Sequence, residues 1–182
     1  MTSSGHLPKK QSPTSQQRTQ AGIWGEQLVM HWLQQQGWSI LACQWRCRWG
    51  EIDLIAQSLS PSKRDQRGGP TPSSLAFVEV KTRRAHNWDA DGLLAITPQK
   101  QAKLWKTAQL FLAKHPIWAT LPCQFDVALV QCQPIATDNH RPEFEQTDLV
   151  LPPHSTIEMG RPILLPTVQL TLLDYLESAF TL

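Results

Sequence analysis

The chain has 182 residues, 41% of them hydrophobic and 18% charged, which suits one globular domain with a real core and some tails. No apolar run approaches the roughly 20 residues of a membrane span, and the polar N-terminus lacks the apolar stretch of a secretory signal, so the expected location is cytoplasmic, away from membranes. The net charge of +2 hides an asymmetry: residues 1–115 carry 15 basic and 7 acidic side chains, residues 116–182 carry 2 and 8. A basic half of this kind could attract polyphosphate, although charge alone favours the plainer reading of an uneven, solvated surface.

Residues 1–19, rich in Ser, Thr and Gln, read as a disordered tail. From about Gln20 to Gln36, the residues Ala21, Trp24, Leu28 and Trp32 recur at helical spacing, and Gly37 ends the segment at a C′ position. The stretch "WSILACQWRCRWGEIDLIAQ" reads as two strands, about residues 39–47 and 51–57, with Arg48, Trp49 and Gly50 turning between them. Residues 58–74, "SLSPSKRDQRGGPTPSS", mix Gly, Pro, Ser and charge without periodicity and are expected to be a long exposed loop. A third strand covers about 75–83. Thr97 can cap a second helix, Pro98 fits its first turn, and Pro116 stops it after His115. Leu104, Trp105, Ala108, Phe111 and Leu112 form its core stripe, and Lys100, Lys103 and Lys106 fall at intervals of three on another side.

A fourth strand, about 124–132, alternates Phe125, Val127 and Leu129. Residues 133–166 hold six prolines and several acids and are expected to form an irregular insertion. Residues 167–182 offer a short strand near 168–170 and a final short helix that complete the domain built by residues 20–132. The predicted order of helix, three strands, helix, strand is α/β, a mixed sheet flanked by helices. Cys43, Cys47, Cys123 and Cys132 form no C-x-x-C pair and read as reduced thiols. Of the tryptophans, Trp24, Trp32 and Trp105 lie on core stripes, which leaves Trp49 and Trp88, in turns, as stacking candidates.

Two strand pairs carry chemistry. In "GEIDLI", Glu51 and Asp53 are two apart and should share a face; in "FVEVK", Glu79 and Lys81 do the same, with Ile52, Leu54, Val78 and Val80 packing on the other side. If the strands pair, Asp53 and Glu79 converge. Two facing carboxylates repel, and a divalent cation between them removes the conflict. Mg²⁺ suits carboxylate, carbonyl and water ligands, with the Val80 backbone carbonyl as a natural third. Lys81 would then stand beside a site suited to phosphodiester hydrolysis. The same spacing also fits an ordinary surface ion pair, and from the residues alone both readings stay open.

The segments "GIWGEQLVMHWLQQQGWSIL", "WRCRWGEIDLIA", "LAFVEVKTRR", "ITPQKQAKL" and "FDVALV" occur in order. Together they resemble the bacterial YraN family, the uncharacterised protein family UPF0102, over about residues 20–132 and the last dozen or so. That family is similar to the PD-(D/E)XK nucleases, particularly archaeal Holliday-junction resolvases, which implies a restriction-endonuclease-like core. The resemblance makes Asp53 and Glu79 metal ligands for Mg²⁺ or Mn²⁺, Lys81 the catalytic lysine, and Glu26 a helix-borne acid that supports the metal shell. It places Gln101, with Lys100 and Lys103, on a helix that contributes to the site or to phosphate contact, and Arg83 and Arg84 directly after the E-x-K strand as further nucleic-acid contacts. Glu51 belongs to the signature, with metal-linked and supporting roles both open. The family commonly has Arg where this chain has Gln124; Asp126 remains, as structural support.

The implied function is a Mg²⁺-dependent endonuclease hydrolysing phosphodiester bonds in DNA, branched or structured DNA included. The alternative is a non-catalytic nucleic-acid-binding module of a DNA-processing complex. A homodimer is implied only by analogy, since two symmetric cuts in a junction need two sites.

Overall fold

The computed structural model describes residues 15–64, 70–83, 96–135 and 155–180. Helix α1 (Ser15–Gln35) leads into β1 (Trp38–Cys47), β2 (Gly50–Arg64) and β3 (Pro70–Arg83). Helix α2 (Pro98–Lys114), a 3₁₀ turn at Pro116–Trp118, β4 (Cys123–Pro134), the short β5 (Ile163–Leu164) and β6 (Val168–Phe180) follow. Among the described residues six strands form one sheet in the order β1-β2-β3-β4-β6-β5. Of these, β3 and β4 run parallel and the other neighbours antiparallel, with α2 in the connection between β3 and β4. This is the expected mixed α/β sheet flanked by helices.

Helix α1 starts at Ser15, inside the stretch expected to be tail. It has no acid in its first turn and no base in its last, so packing must hold it. Leu28, Val29 and Leu33 are fully buried against Leu54, Ala56, Ala76, Val78, Ala128 and Val130. Each such side chain contributes roughly 1.5–3 kcal/mol relative to an exposed one. Gly37, at φ 84°, ends the helix and its N–H donates to the Gln34 carbonyl at 3.0 Å. Where α1 crosses β3, Gly25 packs directly on the Thr82 side chain. A Cβ on Gly25 would overlap Thr82 Oγ1 and come within 3.2 Å of Thr82 Cβ. Only glycine permits this approach, and it seats the next residue, Glu26, against the sheet.

Helix α2 covers the other face. Thr97 caps it by accepting from the Lys100 N–H at 3.3 Å, and Pro98 opens it. Leu104, Ala108 and Phe111 pack on Ile55, Leu75, Phe77 and Phe125. Phe111 meets Phe77 edge to face, with centroids 6.0 Å apart. Trp105 does not join this core fully: it is 38% exposed and lies at the rim, tilted against Phe125. Trp24 is buried, and Trp32 is half-buried against Tyr175 at 4.7 Å between centroids.

Three segments depart from expectation. Of the loop expected over 58–74, residues 58–64 and 70–74 are instead strand, paired in a β2–β3 hairpin as far as Arg64 with Pro70, and residues 65–69 lie outside the described residues. The backbone ladder needs no apolar side chains, and the Ser58 and Ser74 hydroxyls bridge the strands at 2.8 Å. The expected C-terminal helix is strand throughout, because β6 satisfies the otherwise open edge of β4 from Phe125 to Pro134. Shifts in register at two points absorb the helix-like spacing of its apolar residues. Within the insertion expected over 133–166, Ile157 is buried in the α1 core, held by a bond from its N–H to Gln35 Oε1 at 3.0 Å. Residues 136–154, and Trp88, lie outside the described residues.

Asp126 supports this C-terminal strand. It is fully buried and accepts from Tyr175 Oη at 2.7 Å, the Ser178 N–H at 2.9 Å and Gln124 Nε2 at 3.0 Å. The Ser178 bond holds that residue at φ 50°, a left-handed conformation that bends the strand end. Burial, and next the Asp126 charge, push the Tyr175 phenol well above its usual range.

A candidate carboxylate site where the sheet forks

The β2–β3 ladder ends at the pair Leu54 and Val78. Beyond it β2 continues beside β1 to Gly50, and β3 continues beside β4 to Arg83. The sheet therefore forks, and the next residue on each strand is an acid: Asp53 on β2 and Glu79 on β3. The fork also breaks the expected alternation. Ile52 packs beneath α2 and Leu54 beneath α1, so the reversal of face is made at Asp53 itself. Glu51 and Asp53 do not act as a matched pair on one face.

Asp53 enters the fork and replaces a missing strand partner: its Oδ2 accepts from the Val80 N–H at 2.7 Å. The N–H and C=O of one strand residue point to the same side, so the Val80 carbonyl opens into the fork as well. Glu79 faces α2 and is buried, at 5% exposure. Its Oε1 receives both Lys81 Nζ, at 2.6 Å, and Lys100 Nζ, at 3.1 Å. Its Oε2 is buried with no hydrogen-bond partner. Burial, and next the charge of Glu79, push the Asp53 carboxyl up to about 7.

Glu26 comes from α1, on the opposite face. Gln44 Nε2 donates to its Oε2 at 2.9 Å. Burial raises the Glu26 carboxyl above its usual range; the Gln44 bond opposes this, and the charges of Glu51 and Glu79 add to it. Gln44 sits at φ 48°, a left-handed position costly for a residue with a Cβ. Glu51 leans on Arg46, directly across the β1–β2 hairpin, with Arg46 Nε 2.9 Å from Glu51 Oε2.

The remaining sequence candidates divide. Lys100 belongs to the fork, paired with Glu79, rather than to a free basic face. Gln101 is engaged at the start of its own helix, its Nε2 donating to the Ile96 carbonyl at 3.1 Å. Lys103 and Arg83 are exposed. Arg84 lies outside the described residues. Gln44 was not legible as a site residue, because nothing in "LACQWRC" marks a left-handed strand residue. Arg46 was findable, since a turn at Arg48 and Trp49 sets it opposite Glu51. Cys43 and Cys123 are exposed, Cys47 is half-buried and Cys132 is buried.

The donor set fits a hard divalent cation of the Mg²⁺ type. Among the described residues no three His, Cys, Asp or Glu side chains approach closely enough to form a cage of their own. Mg²⁺ does not require one: it binds through one or two carboxylates and keeps several waters. Asp53, Glu79 and the Val80 carbonyl offer that set, and the partnerless Glu79 Oε2 is the orphan atom such an ion would satisfy.

Among the described residues no helix is long and apolar enough to cross a membrane. A family model for "Uncharacterised protein family UPF0102" matches residues 25–130. That stretch carries the acids of the fork and both lysines. A UPF0102 protein of Acaryochloris marina is 57% identical over 96% of this chain and 98% of its own. A second, from Trichodesmium erythraeum, is 46% identical over 90% of each. One from Synechocystis is 41% identical over 89% of this chain and 98% of its own. The chain thus belongs to the uncharacterised protein family UPF0102.

Proposed function

We propose that this protein is a divalent-cation-dependent endonuclease that hydrolyses phosphodiester bonds in DNA, with branched or structured DNA among its substrates. The observation that carries the reading is the fork: two carboxylates meet where the strands part, one of them pushed up to about 7 and the other with a buried, partnerless oxygen. A buried carboxyl beside a second carboxylate is costly to ionise, and proteins keep such groups where chemistry uses them. Asp53, Glu79 and the Val80 carbonyl would hold Mg²⁺ or Mn²⁺. When bound, such an ion supplies Lewis acidity toward phosphate oxygen and activates water.

The chain's own groups do the rest. Lys81 and Lys100 place two ammonium groups at the mouth of the fork, where a phosphate's charge would be met. Asp53, tied to the Val80 N–H, keeps β2 and β3 at a fixed separation. Glu26, held by Gln44, adds negative charge from the opposite face and would tighten cation binding.

The test is cleavage of end-labelled single-stranded, duplex, flap and four-way-junction DNA with Mg²⁺ or Mn²⁺. The expected result is cutting of at least one substrate by the wild type, lost in Asp53→Ala and Lys81→Ala variants. Equal cutting by the variants would sink the reading. Salt-sensitive binding with no cutting of any substrate would leave the chain a non-catalytic nucleic-acid-binding module.

A further inference from the structure

We propose that Trp49 is a stacking platform for an unpaired nucleobase, reached from the fork along a lysine track on α2. The proposal rests on the nucleic-acid reading above and adds to it a preference for unpaired strands.

Trp49 sits in the turn between β1 and β2 and is 41% exposed. Its neighbour Trp45 is differently placed, packing edge to face on Phe111 with centroids 5.5 Å apart. Two cations lie over the Trp49 ring: the Arg48 guanidinium and Lys106 Nζ, each 4.9 Å from the centroid. Among the described residues no carboxylate pairs with Arg48, Lys103 or Lys106, whereas Arg46, Lys81 and Lys100 each have one. An exposed indole thus stands beside cations without counter-charges. A nucleotide's base would take the place of one of these long side chains over the ring, and its phosphate would meet the cation so displaced.

The place of the turn ties this patch to the fork. A Cβ on Gly50 would lie 3.5 Å from Thr107 Oγ1 and 3.9 Å from Lys103 Cβ, so the turn is seated on the Lys103–Thr107 stretch of α2. Cys47 Sγ reaches the same Thr107 hydroxyl at 3.7 Å. One helical turn or so earlier, Lys100 meets Glu79. Six residues separate Lys100 from Lys106, about 9 Å along the helix axis. Lys100, Lys103 and Lys106 therefore make a rising line of positive charge from the carboxylates to the indole. A duplex can follow such a line through its phosphates alone, but only an unpaired base exposes a face for the ring to stack on.

The experiment is fluorescence anisotropy of full-length protein in EDTA, which prevents cutting, with a labelled oligothymidine and a blunt duplex of equal length. Trp49→Ala should weaken the single strand by about 5- to 160-fold, the range that stacking one base contributes, and the duplex less than twofold. Trp49→Phe should retain most of the single-strand affinity. The Lys103→Ala, Lys106→Ala double variant should weaken both ligands and flatten the salt dependence. An unchanged or equally reduced affinity for the two ligands in Trp49→Ala overturns the platform and leaves the nuclease reading standing. Wild-type protein that binds neither ligand overturns the platform, while the cleavage assay on flap and four-way-junction DNA decides the nuclease reading separately.

Discussion

Replacing Asp53 by Asn tests the strain stored in the fork. Asn keeps an oxygen to accept the Val80 N–H but removes the charge that burial and Glu79 oppose. In the unfolded chain Asp53 binds its proton below about 3.8, and in the folded chain up to about 7. Between these values the native state holds more protons, so without metal the stability falls as pH rises through this window and levels off above about 7. The rise from 3.8 to about 7, at about 1.36 kcal/mol per pH unit, sets a ceiling of about 4 kcal/mol. Partial solvent access lowers this to the order of 2 kcal/mol, or roughly 4–8 °C in melting temperature. The assay is thermal melting of wild type and Asp53→Asn at pH 5 to 8 in EDTA. The variant should melt higher at pH 8, with the gap narrowing toward pH 5. Added Mg²⁺ at pH 8 should raise the wild type and leave the variant unmoved. Parallel pH curves, or a variant less stable at pH 8, would refute the reasoning.

Gly25→Ala should lower stability by about 1–3 kcal/mol in urea unfolding, because the Thr82 hydroxyl stands where the new methyl group would go and Thr82 Cβ lies only 3.2 Å from it. At Gln44, Val should cost about 1–2 kcal/mol of left-handed strain that Gly avoids; equal melting temperatures for the two variants would contradict this. Asp126→Ala strands the Tyr175 hydroxyl, the Ser178 N–H and the Gln124 amide. It should cost about 3 kcal/mol or more, read from calorimetric unfolding.

The central part of the fold was legible because its signals are local. Thr97 and Pro98 open α2 as expected, Gly37 closes α1, and apolar residues mark β1 through β4. What escaped depends on tertiary pairing. The polar residues of 58–74 read as loop, yet backbone pairing across the hairpin makes 58–64 and 70–74 strand. "TLLDYLESAF" has helical spacing, yet the open edge of β4 recruits it. The site divides in the same way. Asp53, Glu79 and Lys81 followed from strand spacing, but the reversal of face at Asp53 did not, because a fork cannot be seen in one strand's alternation. Lys100 looked like one of three equivalent surface lysines. Only the crossover of α2 sets it on Glu79 and leaves Lys103 and Lys106 outside.

The most direct measurement is a crystal soaked in Mn²⁺ and recorded at a wavelength where manganese scatters anomalously. The reading developed above predicts one anomalous peak in the fork, with carboxylate oxygens of Asp53 and Glu79 and the Val80 carbonyl at bonding distance, and its loss in Asp53→Asn. An ordered fork without a peak at saturating Mn²⁺, with Glu79 still paired to Lys81 and Lys100, would contradict it.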